Sequence, residues 1–170
     1  FKDAQSLIQQ HIKREKDVEK KAYYTSKFAE ALRDQNKQKE ALKILDNSKG
    51  LERQSRMRLE MVLSNQRVGE EDRSLRELDN LFSDKQTFVD GSARYYSAEI
   101  EFGRKKYERC MDLCQQTIRL IESAEKYTMP LELKRLLAKV HDLMRRAREM
   151  TREDLGDEFA FYRDGRKFQA

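Results

Sequence analysis

Tryptophan is absent from this 170-residue chain, proline occurs once, at Pro130, and glycine six times. Proline and glycine interrupt helices and build tight turns, so their scarcity leaves long stretches of potential helix. It argues against an all-β fold, which would need far more turn residues. Histidine is confined to His11 and His141, and cysteine to Cys110 and Cys114. Two cysteines four positions apart, with no others, do not make a secreted disulfide framework, and a reducing compartment is the simpler expectation. No run approaches the roughly 18 uninterrupted apolar residues that a spanning helix needs, and the first residues carry no signal-peptide core. The expected location is therefore intracellular, cytoplasmic or nuclear, with no membrane insertion. Nor is there a tract of one charge sign, because 36 basic and 31 acidic residues are interspersed to a net charge of +5. That pattern reads as solvated surface with a mild basic bias.

What is present is length and helical periodicity. A chain of 170 residues can bury a core without disulfide or metal staples. Charged residues make up 39% and hydrophobic residues 38%, a balance that suits a thin structure with much surface per unit of core. The chain enters at Phe1 a pattern that already reads as helical, which leads to the expectation that it is part of something longer.

Internal repetition carries the strongest signal. Ala29, Ala41, Leu42, Ile44, Leu45, Ser48 and Leu51 align without gaps with Ala98, Cys110, Met111, Leu113, Cys114, Thr117 and Leu120, at an offset of 69 residues. A weaker copy lies between them, with Ser74, Leu75 and Leu78 standing 33 residues after Ala41, Leu42 and Leu45. The physical logic is a pair of antiparallel helices that must approach closely where they cross, so small side chains belong at the crossing and larger ones on the flanks. In the first unit Phe28-Ala29 and Leu32 share a face of an opening helix over roughly residues 22 to 34. Asn36 lies in the turn, and Ala41, Leu45 and Ser48 line the returning helix. The third unit offers Ala98, Phe102, Gly103 near the turn, Tyr107, Cys110, Cys114 and Thr117. The middle unit uses Leu63-Ser64 as its large-small pair, with a shorter turn region around Gly69 and Leu81 in place of the last small residue.

This order of large-small pair, apolar residue, turn and small-large-small resembles the tetratricopeptide repeat, whose period is about 34 residues. The resemblance covers roughly residues 22 to 150. It implies an all-α fold, a right-handed stack of about three antiparallel helical hairpins with flanking helices. The expected domain spans residues 1–150, with hairpins near 22–49, 54–86 and 92–123 and a capping helix over 131–150 entered after Pro130. Residues 3 to 20, with Ala4, Ile8, Ile12 and Val18, read as the second helix of a preceding unit. Residues 151–170 form an aromatic and charged tail with Phe159, Phe161, Tyr162 and Phe168. The structural repeat positions are Ala29, Ala41, Leu45, Ser48, Ser74, Leu78, Ala98, Cys110, Cys114 and Thr117.

Chemistry finds few candidates. Catalysis needs a nucleophile, a tuned acid or base, or a metal held in a pocket. His11 and His141 fall at opposite ends of the expected stack. Cys110 and Cys114 would fill half of a tetrahedral zinc site, and their repeat positions suit small core residues. No GxxxxGK[ST], GxGxxG, HExxH or GxSxG motif occurs. The expectation is a chain without enzymatic activity, cofactor or metal.

If the resemblance holds, opening helices line a concave groove that presents Tyr23, Ser26, Glu30, Arg33, Met61, Asn65, Tyr95, Glu99 and Phe102. The family's chaperone-binding members place asparagines and lysines there to clamp a terminal carboxylate. Glu30 and Glu99 at matching asparagine positions disfavour such a partner, and the lining better suits an amphipathic or basic helix. The expected function is a protein-protein interaction scaffold or adaptor within a multi-subunit complex. Two alternatives stay open. One is RNA binding through the basic excess, with Arg145-Arg146-Ala147-Arg148 as its densest stretch. The other is a purely architectural solenoid segment.

Overall fold

A computed structural model describes the backbone of residues 2–124 and 128–168 and the side chains of residues 3–124 and 128–153. The described residues form helices and no strand: α1 (Lys2–Arg14), α2 (Val18–Asp34), α3 (Gln38–Asp46), α4 (Ser55–Ser64), α5 (Glu71–Asp79), α6 (Thr87–Gly103), α7 (Tyr107–Ala124) and α8 (Leu131–Phe168). The fold is all-α. Two compact units divide the chain, Phe1–Val89 and Asp90–Ala170, with the boundary inside α6. The sequence pattern predicts no boundary there.

In the first unit α2 packs against α1, α3 and α4, and α4 packs in turn against α3 and α5. Asp17 sets where α2 begins, its Oδ1 accepting from the Lys20 backbone N–H at 3.1 Å. This cap assigns Val18 to α2 and leaves Ile12 as the buried apolar residue of α1. Ala22, Phe28, Ala29, Leu32, Ala41, Leu45, Leu51 and Met57 join Ile12 in one continuous core. In the second unit α7 packs against α8, and Leu113, Ile118 and Ile121 of α7 and Leu133, Leu136, Val140 and Leu143 of α8 are all buried. Gly91 belongs to the same core, since a Cβ there would meet Leu136 Cδ2 at 3.2 Å.

The 69-residue repetition recurs bond for bond at two turns. After α2 the Lys37 N–H donates to the Leu32 carbonyl at 2.9 Å and the Asn36 N–H to the Arg33 carbonyl at 3.0 Å. After α6 the Lys106 N–H donates to the Glu101 carbonyl at 2.9 Å and the Lys105 N–H to the Phe102 carbonyl at 3.0 Å. Both are Schellman caps, and both turn on a left-handed residue, Asn36 at φ 60° and Lys105 at φ 63°. Each returning helix then opens alike, with Ala41 N–H on the Lys37 carbonyl and Cys110 N–H on the Lys106 carbonyl, both at 3.0 Å. Further along, the hydroxyls of Ser48 and Thr117 donate to the carbonyls of Ile44 and Leu113, at 2.7 and 2.8 Å.

The middle pair keeps the left-handed residue but not the cap. Gly69, at φ 89°, precedes Ser74 by the same interval that separates Asn36 from Ala41 and Lys105 from Cys110. The connection is nevertheless longer, not shorter as expected: residues 65–70 link α4 to α5, against residues 35–37 and 104–106 in the other pairs. The last helical bond of α4 is the Asn65 N–H on the Met61 carbonyl at 3.1 Å. Helix α8 starts after Pro130 as expected but runs through position 150 to Phe168, so no helix end falls at the expected start of the tail. The side chains of Phe159, Phe161, Tyr162 and Phe168, and residues 169–170, lie outside the described residues.

Candidate functional site

The residues of greatest chemical interest in the first unit gather where α2, α4 and the start of α6 meet. Tyr23 and Lys27 stand one turn apart on α2, followed by Glu30 and Arg33. On α4, Arg56 and Glu60 are likewise one turn apart. The Arg33 guanidinium donates from Nε to Glu60 Oε2 at 3.3 Å and from Nη2 to Oε1 at 3.4 Å, a two-pronged pair that ties α2 to α4. Both side chains are largely buried, at 14% and 4% exposure. Burial pushes the Glu60 carboxyl up to about 7, the guanidinium opposing this and the neighbouring Glu30 adding to it.

Beside that pair, two cations and two rings alternate. The Lys27 ammonium lies 4.5 Å from the Phe88 ring centroid and 5.7 Å from that of Tyr23, while its charge meets Glu30 at 3.3 Å. The Arg56 guanidinium lies 4.6 Å from Phe88 and 4.9 Å from Tyr23. Arg56 Nε donates to Gln86 Oε1 at 2.8 Å, and the Ser55 hydroxyl to Asp84 Oδ2 at 3.1 Å, fastening the segment before α6 to the start of α4. Tyr23 also meets Tyr24 edge-on at 5.7 Å, and Tyr24 meets His11 of α1 at 5.0 Å. Tyr23 remains 39% exposed, so the cluster presents a rigid aromatic face to its surroundings.

Of the nine expected groove residues, Tyr23, Glu30 and Arg33 belong to this surface, whereas Ser26 is buried and its hydroxyl donates to the Tyr23 carbonyl at 2.7 Å. Met61 and Asn65 face elsewhere, lining a half-open cavity of about 350 Å³ with Leu45, Met57, Val62 and Leu81. The reason is register: α4 ends at Ser64, and the residues it turns toward α2 are Arg56 and Glu60. In the second unit Tyr95 is buried and its hydroxyl donates to Glu99 at 2.7 Å, with burial and that carboxylate raising its pKa. Glu99 itself is exposed. Phe102 lies under the Arg146 guanidinium at 5.1 Å and edge-on to Tyr107 at 5.4 Å.

The repeat positions Ala29, Ala41, Leu78, Ala98, Cys110, Cys114 and Thr117 have no exposed surface, Leu45 and Ser74 are buried, and Ser48 is half-buried. Cys110 and Cys114 are free thiols in the core, and the bond that the Cys114 thiol donates to Cys110, together with burial, pushes the Cys114 thiol up. No group of three or more potential ligands able to hold a metal occurs among the described residues, and none of their helices is long and apolar enough to cross a membrane. His11 and His141 are both exposed. In the basic stretch, Arg145 is spanned by Asp142 at 2.9 Å and Glu149 at 2.8 Å, and its bond holds Asp142 below the usual carboxylate range. Arg146 pairs with Asp142 at 3.3 Å, and Ala147 is buried.

Sequence reasoning missed Lys27, Arg56, Glu60 and Phe88. The spacing of Tyr23 and Lys27 was a local signal, but Arg56 and Phe88 reach Tyr23 only through tertiary packing. No family model matches the chain, and no curated protein and no solved structure matches it either.

Proposed function

We propose that this chain is a non-catalytic scaffold or adaptor, a right-handed stack of antiparallel hairpins like the tetratricopeptide repeat, that holds a partner peptide or helix within a larger complex. The pair of matching Schellman turns 69 residues apart supports the repeat. The observation that carries the binding role is the Tyr23–Lys27–Arg56–Phe88 surface. Its rings and cations are fixed by one another, so little side-chain freedom is lost when a partner settles on them. Tyrosine and arginine held in this way are the residue types on which interface energy concentrates. An intracellular setting, cytoplasmic or nuclear, agrees with the two free core thiols.

The test is capture of native partners by the parent chain and by Tyr23→Ser/Arg56→Ser, each with and without nuclease. Proteins retained by the parent through nuclease treatment and bound at least about tenfold more weakly by the variant are the expected result. Capture that disappears with nuclease and ignores the substitutions would replace the scaffold with the RNA-binding reading. Capture indifferent to both would leave the architectural role.

A further inference from the structure

The first unit holds a second cavity, which neither its core nor the α2–α4 surface uses. Among the described residues α1 packs against α2, where His11 meets Tyr24, but makes no comparable contact with α3. The gap left between α1 and α3 is half-open and about 220 Å³ in volume. Phe28 and Leu32 of α2 and Ile44 of α3 form its apolar floor, the first two buried and the third half-buried.

Polar side chains surround that floor. Gln5 and Gln9 stand one turn apart on α1, while Glu40 and Lys43 share a face of α3 with Asn47, which caps its end. None of these side chains makes a hydrogen bond or an ion pair with another described residue. Glu40 and Lys43 therefore border the same space as unpaired charges of opposite sign, and each carboxamide beside them offers both donors and an acceptor. A ligand with a single charge would meet one complementary group and one of its own sign, so neither an anion such as phosphate nor a simple cation suits the site. A molecule that carries both charges close together on a short aliphatic chain satisfies rim and floor at once. The volume lies below the roughly 300–1,000 Å³ of drug-sized pockets, which limits that molecule to few atoms.

We propose that the α1–α2–α3 cavity binds a free α-amino acid with an aliphatic side chain, of the leucine class. The ammonium group of the ligand pairs with Glu40 and its carboxylate with Lys43. Gln5, Gln9 and Asn47 take the remaining hydrogen bonds, and the aliphatic chain lies on Phe28, Leu32 and Ile44. Glu40 and Lys43 are exposed, so water screens both pairings and the affinity is of the order of millimolar. The inference is independent of the scaffold reading and uses none of the residues of the α2–α4 surface.

Titration of the full chain with free leucine, followed by backbone and carboxamide NMR shifts, tests this directly. Saturable shifts at Gln5, Gln9, Glu40, Lys43 and Asn47 and their neighbours are the expected result. Two half-ligands give the decisive comparison, since isocaproate lacks the ammonium group and isoamylamine lacks the carboxylate. Each should bind at least about fivefold more weakly than leucine. Glu40→Gln and Lys43→Gln change exposed residues and should keep the parent's helical circular dichroism. Glu40→Gln is expected to weaken leucine about three- to fivefold without weakening isocaproate, and Lys43→Gln to weaken leucine equally without weakening isoamylamine. No saturable shift by about 10 mM leucine, shifts only elsewhere on the chain, or half-ligands that bind as well as leucine would each overturn the proposal.

Discussion

The α2–α3 and α6–α7 pairs have the same turn and different interiors. Their caps, opening bonds and small crossing residues coincide position by position, yet Leu32 at 1% exposure corresponds to Glu101 at 7%. Likewise Ala41 and Leu45 correspond to Cys110 and Cys114, all in the core. The same backbone route therefore accommodates either interior, and the chemistry behind the cap can change without disturbing it.

The comparison breaks most visibly at Leu32. Leu32→Ala empties a buried site and is expected to cost about 2–5 kcal/mol, measured as a lower urea midpoint at unchanged slope. A loss below about 1 kcal/mol would mean that the α2–α3 crossing closes around the gap, and that apolar volume there is less demanding than its burial suggests.

Next in size is the Arg33–Glu60 tie. The folded carboxyl titrates near 7 against an ordinary 4.5, so the folded state binds this proton more tightly than the unfolded chain. Its stabilising contribution is fully present below pH 4.5 and is lost as the pH rises from there through about 7. The loss amounts to roughly 3 kcal/mol at most. Urea midpoints of the parent should fall across this window and those of Glu60→Gln should not. A variant that follows the parent would place the titrating group elsewhere.

At Glu101 the expected change has the opposite sign. Its carboxylate is buried, Oε1 has no hydrogen-bond partner, and Arg104 approaches only to 3.7 Å. Replacing a poorly matched buried charge with the apolar residue found at the equivalent position should stabilise, so Glu101→Leu is expected to gain about 1 kcal/mol in the same assay. Destabilisation instead would show that the carboxylate supports the second unit in a way Leu32 does not support the first.

These contrasts explain what was legible beforehand. Alanine and cysteine at helical spacing announce a close crossing because nothing larger fits, and each such position is buried without remainder. Helical character was equally plain, since little in the chain interrupts it. Glu101 was not legible, because a glutamate in an amphipathic helix ordinarily signals the wet face. Nor was the end of α4, where the Leu63-Ser64 pair matched the repeat but lies at the helix terminus. That misplacement grouped Met61 and Asn65 with Tyr23, when the partners of Tyr23 come from Arg56 and Phe88. Separations of 33 and 65 residues leave no periodic trace, and only packing brings those side chains together.

The finest contrast is between the two turn residues themselves. Gly103 drew attention as the turn signal of the third unit, yet the left-handed position is Lys105, two residues later. A lysine held at φ 63° has its Cβ crowded against the backbone, whereas asparagine at φ 60° is among the side chains that tolerate this region. Glycine at either site removes the crowding but gives more freedom to the unfolded chain, which offsets part of the gain. Lys105→Gly is therefore expected to stabilise by about 0.5–1 kcal/mol and Asn36→Gly by no more than a few tenths, compared by urea midpoints in otherwise identical chains. Equal effects at the two sites would mean that lysine bears no strain beyond asparagine's, and the preference for Asn36 in the first turn would then need a cause other than φ.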